Sequence, residues 1–241
     1  MVRAAKPVPF GRGARGKNQS PATRAGEKQS PAARRLIRPA AGGVAVEFEI
    51  LGWPGDDVTL DLDHEQFAYA GKFVMARTGK AVVREGAEVL GAIAFDADRT
   101  DESVCRLRYV TVRADRRGEG IGSRLLAFVR ARVVDAGGFE TVEIAVNNPF
   151  AYDAAYRAGF GYTGRETGIA ELVLAWPLPA ADRDGSSESG VDSRGHDGGS
   201  EGGYRAGLER YAARSLSPPE RDFVEDALTR GPPEPVAVPG Q

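Results

Sequence analysis

The sequence predicts an α/β fold in which a mixed, mostly antiparallel sheet is flanked by helices, with disordered N- and C-terminal tails. Between residues 44 and 178, short β-branched runs alternate with runs of helical spacing, a pattern typical of helices packed on both faces of a sheet. Residues 85–88, with Gly86, join two apolar runs closely enough for a hairpin. A glycine-rich turn at 117–122 follows one strand-like run and opens a helix-like run.

The strands are predicted in order from short apolar runs. Residues 44–51 alternate between apolar and polar side chains, as a strand with one solvated face does. The later runs are rich in β-branched and apolar residues. Together the predicted strands span residues 44–51, 81–84, 89–95, 104–112, 141–146, 160–163 and 170–175.

Helices are predicted where apolar residues recur at helical spacing. Within the domain they span residues 62–73, 120–134 and 149–157. The first depends on the spacing of Leu62, Phe67 and Tyr69. The second stops at Gly137, because glycine commonly ends a helix.

Composition divides the chain into five parts. Residues 1–43 hold ten Lys/Arg and one acid with almost no large apolar residue, so we expect a basic disordered tail. The domain at 44–178 follows, and after it comes a low-complexity acidic linker at 179–203. Helical spacing returns at 204–231, where short helices are expected, and residues 232–241 are expected to be a disordered tail.

Apolar content and titratable residues exclude several classes of function. The longest apolar runs are too short to cross a bilayer and no signal-peptide core follows the basic start, so we expect a cytoplasmic protein without membrane contact. The single cysteine, Cys105, lies in a strand-like run without a nearby His or second Cys, which favours a buried, inert thiol. His64 is expected to be solvated, and no metal site is expected.

The most informative motif is the turn that starts at Arg117. Gly118, Gly120 and Gly122 lack the Cβ atoms that would keep a ligand from the backbone, and the amides of the first helical turn point at an anion that docks there. A Walker loop is excluded because no lysine stands before Ser123. A dinucleotide fingerprint fits imperfectly, since it requires Gly or Ala at that position. The expected ligand is a phosphate or pyrophosphate.

The turn has the pattern Arg-x-x-Gly-x-Gly and resembles the acyl-CoA pyrophosphate loop of the GNAT superfamily of N-acetyltransferases. The resemblance covers roughly residues 44–178 and implies the GNAT fold. In chain order, the other matching motifs are 109–113 for the family's fourth strand, 141–146 for the fifth, 147–151 for the start of the next helix and 156–160 for its closing Tyr…Gly-Phe signature.

The resemblance implies a binding site for acetyl-CoA as acyl donor. In the family, the end of the fourth strand holds the pantetheine arm and the turn holds the pyrophosphate. Carried over by position, the expected binding residues are Val110, Thr111, Val112, Arg117, Gly118, Glu119, Gly120, Ile121, Gly122, Ser123 and Asn148. The implied reaction is direct attack on the thioester, in a ternary complex, by an amine of a small molecule or peptide. Residues 61–80 resemble the segment that covers this substrate.

The expected general acid departs from the family pattern. The family uses a tyrosine four residues before the glycine of Gly-Phe, where this chain has Ala155. Tyr156, three residues before Gly159, is the candidate catalytic residue, and Tyr152 one helical turn earlier is its competitor.

The general base stays open. A carboxylate on the family's fourth strand often serves as base, but the corresponding positions here are Arg106 and Arg108. The candidates are Glu143, Asp63 and Glu65, or a water chain through them.

Two other functions remain as alternatives to the transferase. In the first, the chain is a catalytically weak acyl-CoA-binding module that acts through partners. In the second, the basic tail associates with nucleic acid independently of sequence and with a steep dependence on salt. The resemblance also admits a homodimer, because many family members pair through late strands.

Overall fold

The structure is a computed structural model that describes residues 45–179 and 199–240. Its strands are β1 (Val46–Gly52), β2 (Gly79–Glu85), β3 (Glu88–Ala97), β4 (Val104–Val112), β5 (Thr141–Val146), β6 (Gly161–Glu166) and β7 (Leu172–Trp176). Its α-helices are α1 (Ile121–Ala136), α2 (Pro149–Arg157), α3 (Glu201–Ala212) and α4 (Pro218–Arg230). The basic tail expected at 1–43, and with it the nucleic-acid alternative, lies outside the described residues. So does the part of the expected acidic linker from 180 to 198.

The strands form one mixed sheet in the order β1-β2-β3-β4-β5-β7-β6. Neighbouring strands are antiparallel except β4 and β5, which run parallel. The chain between these two contains α1, as a connection between parallel neighbours requires a crossover. The mixed, mostly antiparallel sheet flanked by helices is therefore confirmed.

β4 and β5 are paired over only part of their length. Val104–Leu107 pairs with Thr141–Ile144, and the pairing stops there. On its other side β4 stays paired with β3, but the register shifts by one residue between Ala94 and Phe95 and leaves Arg108 as an extra residue. A bulge of this kind bends a strand. Because it lies where the pairing with β5 stops, the two strands diverge toward their carboxyl ends.

The two faces of the sheet are covered differently. One face and the helices α1 to α4 share the main apolar cluster, whose large buried members include Phe95, Leu125, Tyr152, Phe160, Tyr204 and Tyr211. The opposite face carries a smaller cluster formed by Leu62, Phe67, Ala70, Phe73, Val82, Ala92 and Ala94. Helices were expected on both faces, but the second face is covered by a segment with little regular structure.

Residues 62–73, predicted as a helix, form turns and a single 3-10 helix at Ala70–Lys72. Tyr69 has a left-handed φ of 61°, which interrupts any α-helical path. Upstream, the Asp63 carboxylate accepts a hydrogen bond of 2.9 Å from the Glu65 backbone N–H, so a side chain competes with the helical ladder. The helix prediction was wrong. Of the apolar residues on which it depended, Leu62 and Phe67 are buried and Tyr69 is exposed.

The two C-terminal helices pack on the domain. α3 lies against β6 and α2, and α4 lies against α2 and α3. The Ser200 hydroxyl caps α3 by accepting the Gly203 N–H at 3.1 Å. The Glu220 carboxylate accepts the Ser217 N–H at 2.9 Å and thereby closes the first turn of α4. Short helices were expected within 204–231, and α3 begins before that range.

Residues 232–240 differ from the disordered tail that we expected. The Val236 backbone N–H donates to the Arg157 carbonyl at 2.8 Å. Val236 and Val238 also contact the main apolar cluster. Valines between prolines give an extended chain a small apolar surface to bury, and proline lowers the entropy lost when that chain is ordered.

Candidate functional site

The glycine-rich turn joins β4 to α1. Gly118 and Gly120 have φ values of 85° and 73°, a region that residues with a Cβ rarely adopt. A Cβ on either glycine would have no atom within 4 Å, so the space beside the turn is open. Among the described residues, no side chain caps the first turn of α1. The backbone N–H groups at this helix end are therefore available to an anion.

Arginines in and beside the turn are only partly committed to carboxylates. Arg116 is paired, with its Nε 2.9 Å from Glu119 and its Nη1 3.1 Å from Glu85. Arg117 and Arg124 form no ion pair with any carboxylate that the structure describes. Two guanidinium groups thus remain to attract a phosphate to the turn.

The end of β4 contacts the turn directly. Arg117 Nε donates to the Val112 carbonyl at 3.3 Å, and a Cβ on Gly122 would lie 3.5 Å from Val112 Cγ2. Val110 and Val112 pack against the main apolar cluster, so the alternation of the strand directs Thr111 to the opposite face. The Thr111 hydroxyl is buried and has no hydrogen-bond partner within the part of the chain that is described. The structure brings these predicted residues together at one edge of the sheet.

The remaining predicted binding residues contribute in different ways. Ile121 and Ser123 are 2% and 3% exposed, so their side chains are buried and do not line the open space beside the turn. Asn148 follows β5, and because β5 is parallel to β4 it lies at the same edge of the sheet. Its Oδ1 accepts the Ala151 N–H at 2.9 Å and its Nδ2 donates to Asn147 at 3.0 Å. The Asn148 side chain therefore caps α2.

The candidate acid, Tyr156, is enclosed between β6 and α3. Its hydroxyl oxygen accepts the Tyr162 backbone N–H at 3.2 Å, and a Cβ on Gly203 would lie 3.1 Å from that oxygen. The side chain is 5% exposed, and burial raises the pKa of its hydroxyl. Ala155, which stands where the family has its tyrosine, is fully buried.

The competitor, Tyr152, is enclosed by the same helix. Its hydroxyl donates to the Gly203 carbonyl at 3.1 Å and lies 3.2 Å from the Tyr204 carbonyl. Its ring stacks on Tyr204 with a centroid distance of 5.7 Å. Burial raises the pKa of this hydroxyl as well. Both hydroxyls are thus committed to the surrounding chain. The general-acid role predicted for Tyr156 is untested, and the enclosure of its hydroxyl argues against it.

Glu143 is the only candidate base that is buried; Asp63 and Glu65 are exposed. It pairs with Arg106 of β4, close to the point where the two strands diverge. Arg106 Nη1 lies 2.8 Å from Oε2, and Arg165 Nη2 donates to Oε1. Oε2 is therefore a buried oxygen that forms an ion pair with Arg106 but accepts no hydrogen bond.

An aromatic pair on the face opposite the helices was not anticipated from the sequence. The rings of Tyr69 and Tyr109 are 6.0 Å apart, and Lys72 Nζ lies 5.9 Å from the centre of the Tyr109 ring. Tyr69 has a left-handed backbone, and 54% of the residue is exposed. No local pattern shows that the segment at 61–80 contacts β4. The one hint in the sequence was the resemblance of this segment to the part of the family that covers the substrate.

Other chemistry is limited in the parts that the structure describes. None of the described helices is long and apolar enough to cross a membrane. Within 45–179 and 199–240, no group of three or more His, Cys, Asp or Glu side chains could hold a metal ion. The buried thiol expected at Cys105 is confirmed, and burial raises its pKa to about 12, which leaves it unreactive.

Residues 47–161 match the sequence model of the acetyltransferase (GNAT) family. No curated protein sequence matches the chain.

The chain is also similar to solved structures of acetyltransferases. One, from Thermus thermophilus, is 19% identical with a TM-score of 0.36, over 41% of this chain and 62% of that one. A Bacillus subtilis acetyltransferase in complex with CoA is 15% identical with a TM-score of 0.41, over 54% and 97%. The IAA acetyltransferase from Bacillus cereus ATCC 14579 is 18% identical with a TM-score of 0.41, over 54% and 97%. This chain thus spans less than two thirds of the Thermus protein.

Proposed function

Because residues 47–161 belong to the acetyltransferase (GNAT) family, we propose that this protein moves an acetyl group from acetyl-CoA to an amine of a small molecule or peptide. The amine attacks the thioester directly while both substrates are bound. The observation that carries the proposal is the open, uncapped turn around Gly120, next to the end of β4 that has no partner in β5.

The residues of the turn fit the phosphates of an acyl-CoA. Side chains at Gly118 and Gly120 would project into the open space beside the turn, where a ligand could otherwise approach the backbone. The N–H groups at the start of α1 and the guanidinium groups of Arg117 and Arg124 supply donors and positive charge. These are the groups that a pyrophosphate requires.

The diverging strands fit the rest of the donor. An acyl-CoA supplies the acyl group as a thioester, which an amine can take with release of the thiol. Beyond Leu107, the β5 side of β4 has no strand partner, so backbone groups within Val110–Val112 can bind the amides of a pantetheine arm. A backbone N–H at this place can also polarise a carbonyl that is held against it.

Among the candidate bases, Glu143 is best placed to take the proton of the attacking amine, directly or through water. It lies beside the divergence of β4 and β5 and keeps one oxygen without a hydrogen bond. Both carboxylate oxygens of Asp63 already accept hydrogen bonds, one from the Glu65 N–H and one from the Gln66 side chain.

Tyr156→Phe is expected to change kcat by less than about threefold, because the hydroxyl is held by Tyr162 N–H rather than exposed to a substrate. The lost acceptor should lower the free energy of unfolding by about 1 kcal/mol. Thiol release and urea denaturation measure the two effects. A fall in kcat of about 100-fold with unchanged stability would instead make Tyr156 the general acid.

The proposed function is tested by titrating the full chain with acetyl-CoA in a calorimeter, followed by a thiol-release assay with small amines and peptides. Micromolar binding and amine-dependent thiol release are the expected results. Absence of binding would refute the transferase.

Binding without thiol release for any amine would favour the acyl-CoA-binding module instead. The enclosed hydroxyls of Tyr152 and Tyr156, and Ala155 at the family's tyrosine position, are the features that keep this second candidate in consideration.

A further inference from the structure

Two phenylalanines from distant segments form a pair at the surface. Phe150 lies in the first turn of α2 and is 46% exposed. Phe223 lies in α4 and is partly exposed, and the two ring centres are 4.8 Å apart at an interplanar angle of 51°. Few large apolar side chains of the described residues are as exposed as Phe150. An exposed aromatic surface of this kind is suited to a flat apolar ligand group.

The pair lies at the amino-terminal end of α2, since Phe150 belongs to the first turn of that helix. α4 and the chain after it run alongside α2 in the same direction. Phe223 meets Phe150, and Arg230 Nη2 then lies 3.2 Å from Asp153 one turn further along α2. The Val236 backbone finally reaches the carbonyl at the end of α2. Later residues of α4 and of the chain after it thus contact later residues of α2.

The amino-terminal end of α2 lies at the same edge of the sheet as the glycine-rich turn. α2 follows β5 and α1 follows β4, and these two strands are parallel neighbours. Their carboxyl ends therefore lie at the same edge of the sheet, and both helices begin there. α1 and α2 are also in contact with each other. The aromatic pair and the proposed phosphate site consequently share one side of the molecule.

We propose that Phe150 and Phe223 form a platform for the adenine ring of the acyl-CoA whose phosphates bind the turn at Gly118–Gly122. The inference rests on the proposed function and adds the nucleotide's base to it. A purine stacks on aromatic side chains through its π-face. Arg117 and Arg124 beside the turn form no ion pair with a described carboxylate and attract the charged part of the same nucleotide. Because α4 lies outside 47–161, a helix beyond the part that matches the family then supplies one side of the adenine platform.

The test compares acetyl-CoA with S-acetyl-4′-phosphopantetheine, which keeps the thioester and one phosphate but lacks the 3′,5′-ADP portion that carries the adenine. Both are titrated into the full chain and into Phe223→Ala. We expect Phe223→Ala to bind acetyl-CoA about 5- to 100-fold more weakly, the range for loss of one base–aromatic stack, and to bind the short ligand as the wild type does. Phe223→Tyr, which keeps a ring, should retain the wild-type affinity for acetyl-CoA.

Leu228→Ala serves as the matched control, because Leu228 is an apolar residue of α4 that packs against the main cluster. It should leave the ratio of the two affinities unchanged. If Phe223→Ala weakens the binding of both ligands equally, or of neither, the proposed adenine platform is refuted while the proposed function survives. If the wild type binds neither ligand, the proposed function fails and the platform fails with it.

Discussion

Gly120→Asp is expected to weaken acetyl-CoA binding by at least about 100-fold. The new carboxylate would project into the open space beside the turn, where the proposal places the pyrophosphate, and like charges repel there. The backbone at φ 73° also disfavours any residue with a Cβ. Calorimetry at low and high salt measures the loss, and added salt should reduce it because ions screen the repulsion.

The matched control is Gly120→Asn, which has nearly the same shape, no charge and a greater tolerance of left-handed backbone. It should retain most of the binding, and both variants should melt within a few degrees of the wild type. Equal losses in the two variants would assign the effect to the shape of the turn rather than to charge. Wild-type binding by the aspartate variant would remove the turn from the phosphate site.

Gly207→Ala is expected to lower the free energy of unfolding by about 2 kcal/mol. In most helices the same change stabilises by roughly 1 kcal/mol, because glycine is a poor helix former. Here a Cβ would lie 2.0 Å from the Tyr152 hydroxyl oxygen and 2.3 Å from Cζ of the same ring. The ring is fully buried between α2 and α3, so it has little room to move. Urea denaturation of the full chain gives the difference.

Ala206→Gly measures the ordinary helix propensity of the same segment, since Ala206 is exposed. It should cost about 1 kcal/mol. Gly207→Ala would then be destabilising in a helix where alanine is otherwise preferred. A Gly207→Ala variant more stable than the wild type would contradict the close approach of α3 to Tyr152.

The elements that the sequence predicted most closely have local signals. β4, β5 and α2 occupy the predicted residues, because β-branched runs define the strands and Asn148 and Pro149 define the start of α2. The segment at 62–73 shows the limit of such signals. Its apolar spacing identified Leu62 and Phe67 as buried, but Tyr69 is exposed, and the Asp63 turn and the left-handed φ of Tyr69 decided the backbone.

The site divides in the same way. The glycines of the turn could be found from the sequence because their requirement is local: positive φ values and a strand followed by a helix. The divergence of β4 from β5 has no local signal in the residues, since it depends on pairing between segments joined through α1. The pair of Phe150 and Phe223 was equally hidden, because it depends on how α4 docks.

The sequence by itself therefore determined the order and type of most elements of the domain, the buried faces and the anion-binding turn. Each of these follows from dihedral preferences and apolar periodicity within a few residues. Only the tertiary structure decided the direction of the Tyr156 hydroxyl, the docking of α3 and the placement of Glu143 between two arginines. Those features are contacts between residues far apart in the chain, and a hydroxyl or carboxylate takes its partner from whatever the fold brings beside it.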